Sequence, residues 1–538
     1  MLHVRFTRIT PLVTIGLIAF LPSLRSDEGT FEIVAHVNQE ISETLSLGGG
    51  LTISGTTRTI NDNGRVVFPS SIITPESSDG FAIFAWETGP PQELVRSGSA
   101  APANGIFNIL TDPIQNNAGA VLFEASLEGT TGGEADDRGV FWIKEGEIKE
   151  IVREGQTLPV TSSAAWNGFG RGALINDSDN VMLALSFDDS QESDIGFFLW
   201  DGESLTKVVR NGDPLPENST LPPQNTVFSA LGFANHFDFN NQGELTFDAM
   251  DDTIYRGLPG AIVEVTKLQT STGNLFLNHN GLLAFVDALG VYTHASGASE
   301  VVTIANRDTP AFQEGDSFAS FTELRLAESG AIAFKAGLNS DAGFRVGLYL
   351  AKDGEIVEIF RAIAQSEFGS LGPKDPSTFG AFSILETGQV AYEATLRNGN
   401  NAIFVSDGNT TTRIAEGPIL EPFGRPRFPQ GQNVTPSGKI LLESPSHPIV
   451  GDSLIVYSPP PPSSQIQTIT GDGIEIVMTI RSAEGSIYQL QRRDNETPFN
   501  WNNVGGPLAG TGSTIEIRQP ITEDNVSQLF RVQISSSG

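Results

Sequence analysis

Apolar and polar positions alternate with a period of two along most of this chain, in short segments separated by Gly, Asn, Asp and Pro. That period predicts half-buried β-strands, because successive side chains of a strand point to opposite faces. One pattern, Gly-x-apolar-x-aromatic-x-small, recurs eight times. It starts at Gly64, Gly119, Asp179 (in place of Gly), Gly243, Gly281, Gly330, Gly388 and Gly438. The aromatic position holds Phe68, Phe123, Phe247, Phe285, Phe334 and Tyr392, with Leu183 and Leu442 in the other two copies. The small position holds Ser70, Ala125, Ala249, Ala336, Ala394 and Ser444, which predicts a crowded place on the buried face. In the first five copies Asn61, Asn116, Asn176, Asn240 and Asn278 precede the start by three residues. Asn-x-x-Gly ahead of a strand predicts a turn, since Asn bonds local backbone and Gly accepts positive φ.

Each copy continues into a second strand, such as Ile83–Trp86, Val140–Trp142 or Phe197–Trp200. A hairpin pair such as Glu145-Gly146 or Asp201-Gly202 then leads into a third strand, such as Ile148–Arg153 or Leu205–Arg210. A fourth is expected in the Phe-bearing stretch that follows, at Ile106–Leu110 or Val227–Leu231. Four short antiparallel strands in about 50 residues is the make-up of a propeller blade. The copy starting at Gly243 runs only 38 residues to Gly281 and is expected to lack a hairpin. The last copy stops after its second strand, at Tyr457. Phe31–Ala35 resembles a third strand without a first or second, and Leu51–Ser54 a fourth. These half-repeats complement each other, so the fold class is all-β: a seven- or eight-bladed β-propeller closed by the N-terminal segment, plus a small C-terminal β-sandwich.

Composition narrows the setting. The net charge is −32, from 32 basic and 64 acidic residues, which disfavours nucleic acid and anionic membranes as partners. Arg5 and Arg8 ahead of the apolar Ile9–Leu21 suit an export signal, read as residues 1–26. No later stretch is long and apolar enough to span a bilayer, so the mature chain is expected to be a secreted or cell-surface monomer. Residues 27–457 form the propeller. A linker at 458–465 contains Pro459-Pro460-Pro461-Pro462, and alternating strands over 466–538 form the C-terminal module.

Two resemblances add to this. The segments Gly196-Phe197-Phe198-Leu199-Trp200-Asp201-Gly202 and Val208-Val209-Arg210-Asn211-Gly212-Asp213-Pro214-Leu215-Pro216 resemble an uncharacterised repeat family of bacterial extracellular proteins of the choice-of-anchor type. That likeness covers roughly residues 58–457 and implies a propeller-like repeat without assigned catalytic residues. Tyr488-Gln489-Leu490-Gln491-Arg492, Trp501, Gly505-Gly506-Pro507 and Phe530-Arg531-Val532 resemble a module at the ends of secreted proteins of environmental bacteria. It implies sorting, surface retention or weak adhesion.

Chemistry is sparse. The six His residues show no metal-ligand spacing, and Cys is absent. No cofactor is implied. Calcium is the one metal that the acidic surface and a partial loop at Asp238, Asn240 and Gly243 admit. Gly451-Asp452-Ser453-Leu454 resembles the nucleophile block of GDSL-type esterases, but no His follows His447. Arg96, Arg153 and Arg210 recur at a spacing of 57 residues (153 − 96 and 210 − 153) in Arg-x-Gly-x-x-x-Pro. They read either as inter-repeat ion pairs or as a guanidinium ring around a pore, binding an acidic ligand. Trp86, Trp142 and Trp200 occupy matching strand positions and are expected in the core, whereas Trp166 lies in an expected loop as an exposed platform. Three function classes stay open. The first is a non-catalytic propeller that binds an extracellular polysaccharide or a surface protein. The second is a polysaccharide-degrading enzyme, for which two or three carboxylates should meet on the axis, one with a raised pKa. The third is a structural surface protein.

Overall fold

The computed structural model describes residues 30–536 apart from segments 43–44, 49–56, 75–79, 161–164, 190–191, 222–226, 229–230, 232–235, 250–251, 311–315, 340–343, 363–375, 417–426, 430–432, 448–450, 460–465, 472–474, 482–485, 494–501, 510–513 and 521–528. The expected signal at 1–26, the strand at Leu51–Ser54 and most of the linker lie outside the described residues. Phe31–Tyr457 forms one compact unit, and the strands after Ser458 belong to another.

The first unit is an eight-bladed β-propeller of antiparallel sheets. Blade 2 shows the plan, with Ile106–Gln115, Val121–Glu128, Arg138–Lys144 and Glu147–Arg153 in sequence order across the sheet. Blades 3 to 7 repeat it, beginning at Ala165, Phe237, Thr272, Ser317 and Pro376. In blade 1 the first strand is split, because Leu45–Leu47 and Thr59–Ile60 both pair with Val66–Ile73. Blade 8 is closed by the other end of the unit: Thr30–His36 adds to Gly451–Ser458, which pairs with Ile440–His447. The expected third strand at Phe31–Ala35 is thus in place. Val34 and Ala35 are buried with Leu441, Leu454 and Val456, and Phe31 packs on Tyr457 with ring centroids 5.1 Å apart.

Two expectations need correction. Ile106–Leu110 is a strand, but it pairs forward with Val121–Glu128, so each repeat's expected fourth strand is the first strand of the next blade. The Asn-x-x-Gly turn is itself the hairpin that joins the two. Among the described residues of 227–231, Val227 makes an isolated bridge with Pro214, and blade 4 begins at Phe237–Phe239. The short copy from Gly243 also keeps its hairpins. Leu245–Asp248, Thr253–Leu258 and Ala261–Lys267 pair in order, with Pro259-Gly260 as the turn that the sequence pattern obscured.

Inside six blades, the aromatic of the second strand stands directly opposite an aromatic of the third. The pairs are Phe68/Phe84, Phe123/Phe141, Phe247/Tyr255, Phe285/Tyr292, Phe334/Tyr349 and Tyr392/Phe404, with centroids 5.4–5.7 Å apart. Offset stacking of this kind adds about 0.5–1.5 kcal/mol to the area each ring buries. The small residue two positions on explains itself here. Ala125 faces Gly139, and a Cβ at Gly139 would stand 2.7 Å from the Phe141 ring. The third-strand ring therefore folds back over a backbone that must stay bare.

Between blades, the link is a relay of buried amides. Asn61 Nδ2 donates to the carbonyl of Asn116, Asn116 to Asn176, Asn176 to Asn240, Asn240 to Asn278, and Asn278 to Ala327. Each Oδ1 meanwhile accepts amides of its own turn, as Asn176 does from Ser178 and Asn180. The repeat-start residue of all eight blades has a φ between 63° and 86°, Asp179 included. Asp tolerates this region better than most residues, and Asp179 is held at 2.7 Å by both Asn116 Nδ2 and Lys144 Nζ.

The second unit holds two antiparallel sheets. One is Ile466–Gly471, Glu475–Arg481 and Thr514–Pro520. The other pairs Ser486–Arg493 with Asn502–Asn503, Leu508–Ala509 and Leu529–Ser536. Among the described residues, no helix is long and apolar enough to cross a membrane.

Two outcomes are expected. Asn176→Ala orphans two turn amides and one inter-blade acceptor, and should lower unfolding free energy by about 2–3 kcal/mol in urea titrations. Glu124 lies half-buried on the second strand of blade 2, where burial, then Asp112, pushes its carboxyl up to about 7. Its proton is held longer in the fold than in the unfolded chain, so stability falls as pH rises from about 4.5 towards 7. Glu124→Gln should then gain about 1–2 kcal/mol at pH 8 and almost nothing at pH 4.

Candidate functional site

In blades 2 to 7 the first strand of the sheet leads into the turn that lines the centre of the ring, and in blade 8 the bridge of Val434 to Ile440 takes its place. The ends of these strands and the turns that follow enclose a cavity of about 550 Å³ to which all eight blades contribute. Its wall has two tiers. Ile175, Phe239, Phe276, Leu326, Ile384 and Val434 supply apolar surface from the strand ends. Above them stands a polar collar, built from the residue that follows the relay position: Asp62, Asn117, Asp177, Asn241, His279, Glu328 and Glu386, with Pro436 in blade 8.

The collar is itself hydrogen-bonded around the ring. The amides of Asp62, Asn117 and Asp177 donate to Asn117 Oδ1, Asp177 Oδ1 and Asn241 Oδ1, each at 2.8 Å. His279 N donates to Glu328 Oε2 at 2.8 Å, and Glu328 N to Glu386 Oε1 at 2.8 Å. Side chains bond sideways as well: Asn117 Nδ2 reaches Asp62 at 2.7 Å, and Asn241 Nδ2 reaches Asp177 at 2.9 Å. The collar is therefore a pre-set row of carboxylate and amide groups rather than a set of free side chains.

Electrostatics differ around it. Burial would raise the Asp177 carboxyl, but hydrogen bonds from Asn117 and Asn241 hold it below the ordinary value. Burial raises Glu328, only partly offset by His279. Asp238, below the collar, is pushed up to about 6 by burial despite accepting the amides of Leu277 and Phe239. Arg325 lies over Phe276 and Phe382, 5.4 and 5.3 Å from the ring centroids, and pairs with Glu323 at 2.8 Å. Among the described residues no cluster of His, Asp and Glu is suited to hold a metal ion.

The sequence-based candidates stand elsewhere. Arg96, Arg153 and Arg210 end the outermost strands of blades 1, 2 and 3, across the sheet from the axis, and form no ring around it. Arg96 pairs with Glu93 at 2.9 Å and Arg210 with Asp194 at 3.4 Å. Arg153 bonds Glu150 and the carbonyls of Pro102 and Asn104 in the connection from blade 1, so it is an inter-repeat tie. Trp166 is not a loop platform. It lies in Ala165–Ile175, 1 % exposed, packed with Trp142, Trp200 and Leu158, because the strand begins before the turn residues suggest. Trp86, Trp142 and Trp200 are buried as expected. Ser453, in the esterase-like block, is fully buried in a strand. Of the residues singled out, Asn116, Asn176 and Asp238 reach the cavity wall. The collar was missed, although its signal was present: a polar residue follows the relay position in seven of the eight repeats.

A model of a family of unknown function (DUF7453) matches residues 60–414. No curated protein matches the chain. Among solved structures, the C-terminal WD40 domain of Sif2 is similar at 9 % identity and a TM-score of 0.39, over 79 % of this chain and 99 % of that one. YCF48 bound to D1 peptide gives 11 % and 0.31, over 67 % and 98 %. PorZ, a surface component of the type-IX secretion system of Porphyromonas gingivalis, gives 10 % and 0.30, over 90 % and 81 %. At such scores these likenesses carry no inference.

Asp177→Ala should remove acceptors for one amide and two side-chain NH₂ groups of the collar. We expect a loss of about 1–3 kcal/mol in denaturant titration, against less than about 0.5 kcal/mol for the exposed Glu203→Ala.

Proposed function

The chain belongs to the family of unknown function DUF7453, and we propose that it is a non-catalytic binding propeller that takes a segment of an extracellular polysaccharide into its axial cavity. The observation that carries this is the collar rich in carboxylate and amide groups beside an apolar, partly aromatic wall. Sugars offer hydroxyls to the one and C–H faces to the other. A cavity of about 550 Å³ also falls within the usual range for small-ligand sites. Binding suits the collar better than acid–base chemistry, because its carboxylates already accept backbone amides that fix them as acceptors. The basic start and apolar run of the N-terminal segment support a place outside the cytoplasm. The C-terminal unit then serves for retention or sorting.

One observation favours the enzyme as second choice. Several carboxylates do meet at the axis, and Asp238, at about 6, has a pKa fit for proton transfer.

The test is to incubate the full chain with a panel of polysaccharides and to record retention and new reducing ends in the same tubes. Retention without product is expected, falling at least tenfold in the Asn117→Ala/Asn241→Ala double variant and less than twofold in Arg96→Ala. New ends that vanish in Asp238→Asn would make the cavity an active site. Neither retention nor product would overturn the saccharide reading in favour of a protein partner.

A further inference from the structure

His279 differs from every other member of the collar. Its neighbours are carboxylates and amides that satisfy one another, whereas neither nitrogen of its ring has a hydrogen-bonding partner among the described residues. Nδ1 is buried without one. Nε2 stands 3.8 Å from Asp177 Oδ2 and 3.9 Å from Glu328 Oε1, just beyond hydrogen-bonding distance of both. Those carboxylates come from different directions. Glu328 belongs to the adjacent blade 6, but Asp177 belongs to blade 3, so the imidazole reaches past Asn241 of blade 4 across part of the cavity mouth. A neutral ring gains little here, while an imidazolium would gain an ion pair on either side. Imidazole is the side chain whose charge ordinarily changes between pH 5 and 8.

We propose that His279 is a pH-operated latch at the mouth of the axial cavity, closing onto Asp177 in mild acid and releasing it at neutral pH. As a control on ligand exchange it rests on the saccharide reading above; as a movement of the collar it does not.

The other charged groups around His279 select the partner. Asp238 lies below it in blade 4, Glu386 and Asp62 act on Glu328 from blades 7 and 1, and Arg325 is the one Arg or Lys among the cavity-lining residues. On acidification, Glu328 and Asp238, both raised by burial, give up their charge early. Asp177 is held below its ordinary value by hydrogen bonds from Asn117 and Asn241, which also fix its carboxylate in place. The imidazolium is therefore drawn to blade 3, and its backbone tie to Glu328 remains as the pivot.

Two measurements decide this. In the first, histidines carrying ¹³C at Cε1 are titrated by NMR in the ligand-free full chain, which has only six. The His279 midpoint should fall by half a pH unit or more in Asp177→Asn and by less in Glu328→Gln. Equal midpoints in all three proteins would overturn the latch. Crystals at pH 5.5 and pH 8 give an independent view, should Asp177→Asn fail to fold. Nε2 should lie within hydrogen-bonding distance of Asp177 only at the lower pH, and an unchanged separation would overturn the proposal. In the second, release of whichever polysaccharide the panel identifies is timed at both pH values. Release should be at least fivefold slower at pH 5.5 in the wild type and equally fast at both in His279→Asn. If no polysaccharide is retained, the functional reading fails, while the ligand-free titration still decides the latch.

Discussion

Five of the eight joints in the ring depend on the hydrogen bond from a buried asparagine side chain to the main-chain carbonyl of the next blade. Sheets that pack side by side through apolar faces have many ways to slide, because hydrophobic burial has no direction. The amide relay does have one. Each Asn fixes its own turn through Oδ1 and the position of its neighbour through Nδ2, so the geometry of the turn and the rotation between blades are set by one residue. All five relay residues are at most 4 % exposed. A slip of one blade would leave a buried amide and a buried carbonyl without partners, and each orphan costs about 1–3 kcal/mol.

The scarce cations reinforce the same contacts. Arg65 reaches the carbonyl of Gly119, Lys144 the carboxylate of Asp179, Arg256 the carbonyl of Gly281, and Lys352 the carbonyl of Thr387, each at 3.0 Å or less and each in the following blade. At the closure Arg58 pairs with Glu443 at 2.8 Å, both buried. These five basic residues thus sit at the joints between blades.

The fold was legible in the sequence because its rules are local. The period-two alternation, the Gly that allows positive φ, the small residue beneath a folded-back ring and the unmatched half-blade at Phe31–Ala35 each follow from one stretch of chain. The phase of the repeat was not legible. Whether Ile106–Leu110 pairs backward or forward is decided by a turn that reads alike in either case. The site was less legible still. Asp177, His279 and Glu328 are ordinary turn residues in sequence, and only the eightfold closure brings them to one mouth. Trp166 failed for the opposite reason: the residues that follow it, Asn167 and Gly168, look like loop, but they belong to the strand Ala165–Ile175 of blade 3.

The pairing of Thr30–His36 with Gly451–Ser458 has a consequence for how the molecule is made. The two closing strands are separated by more than 400 residues, so this contact forms at the highest sequence distance in the ring. During synthesis the first strand must wait, with one edge open, until seven blades and most of the eighth have emerged. Local hairpins close in microseconds, but a contact at this distance carries the largest loop-closure entropy in the unit. Assembly of the ring is therefore a late, single event. An intermediate with two matching open edges is also the one species able to join a second chain in place of itself.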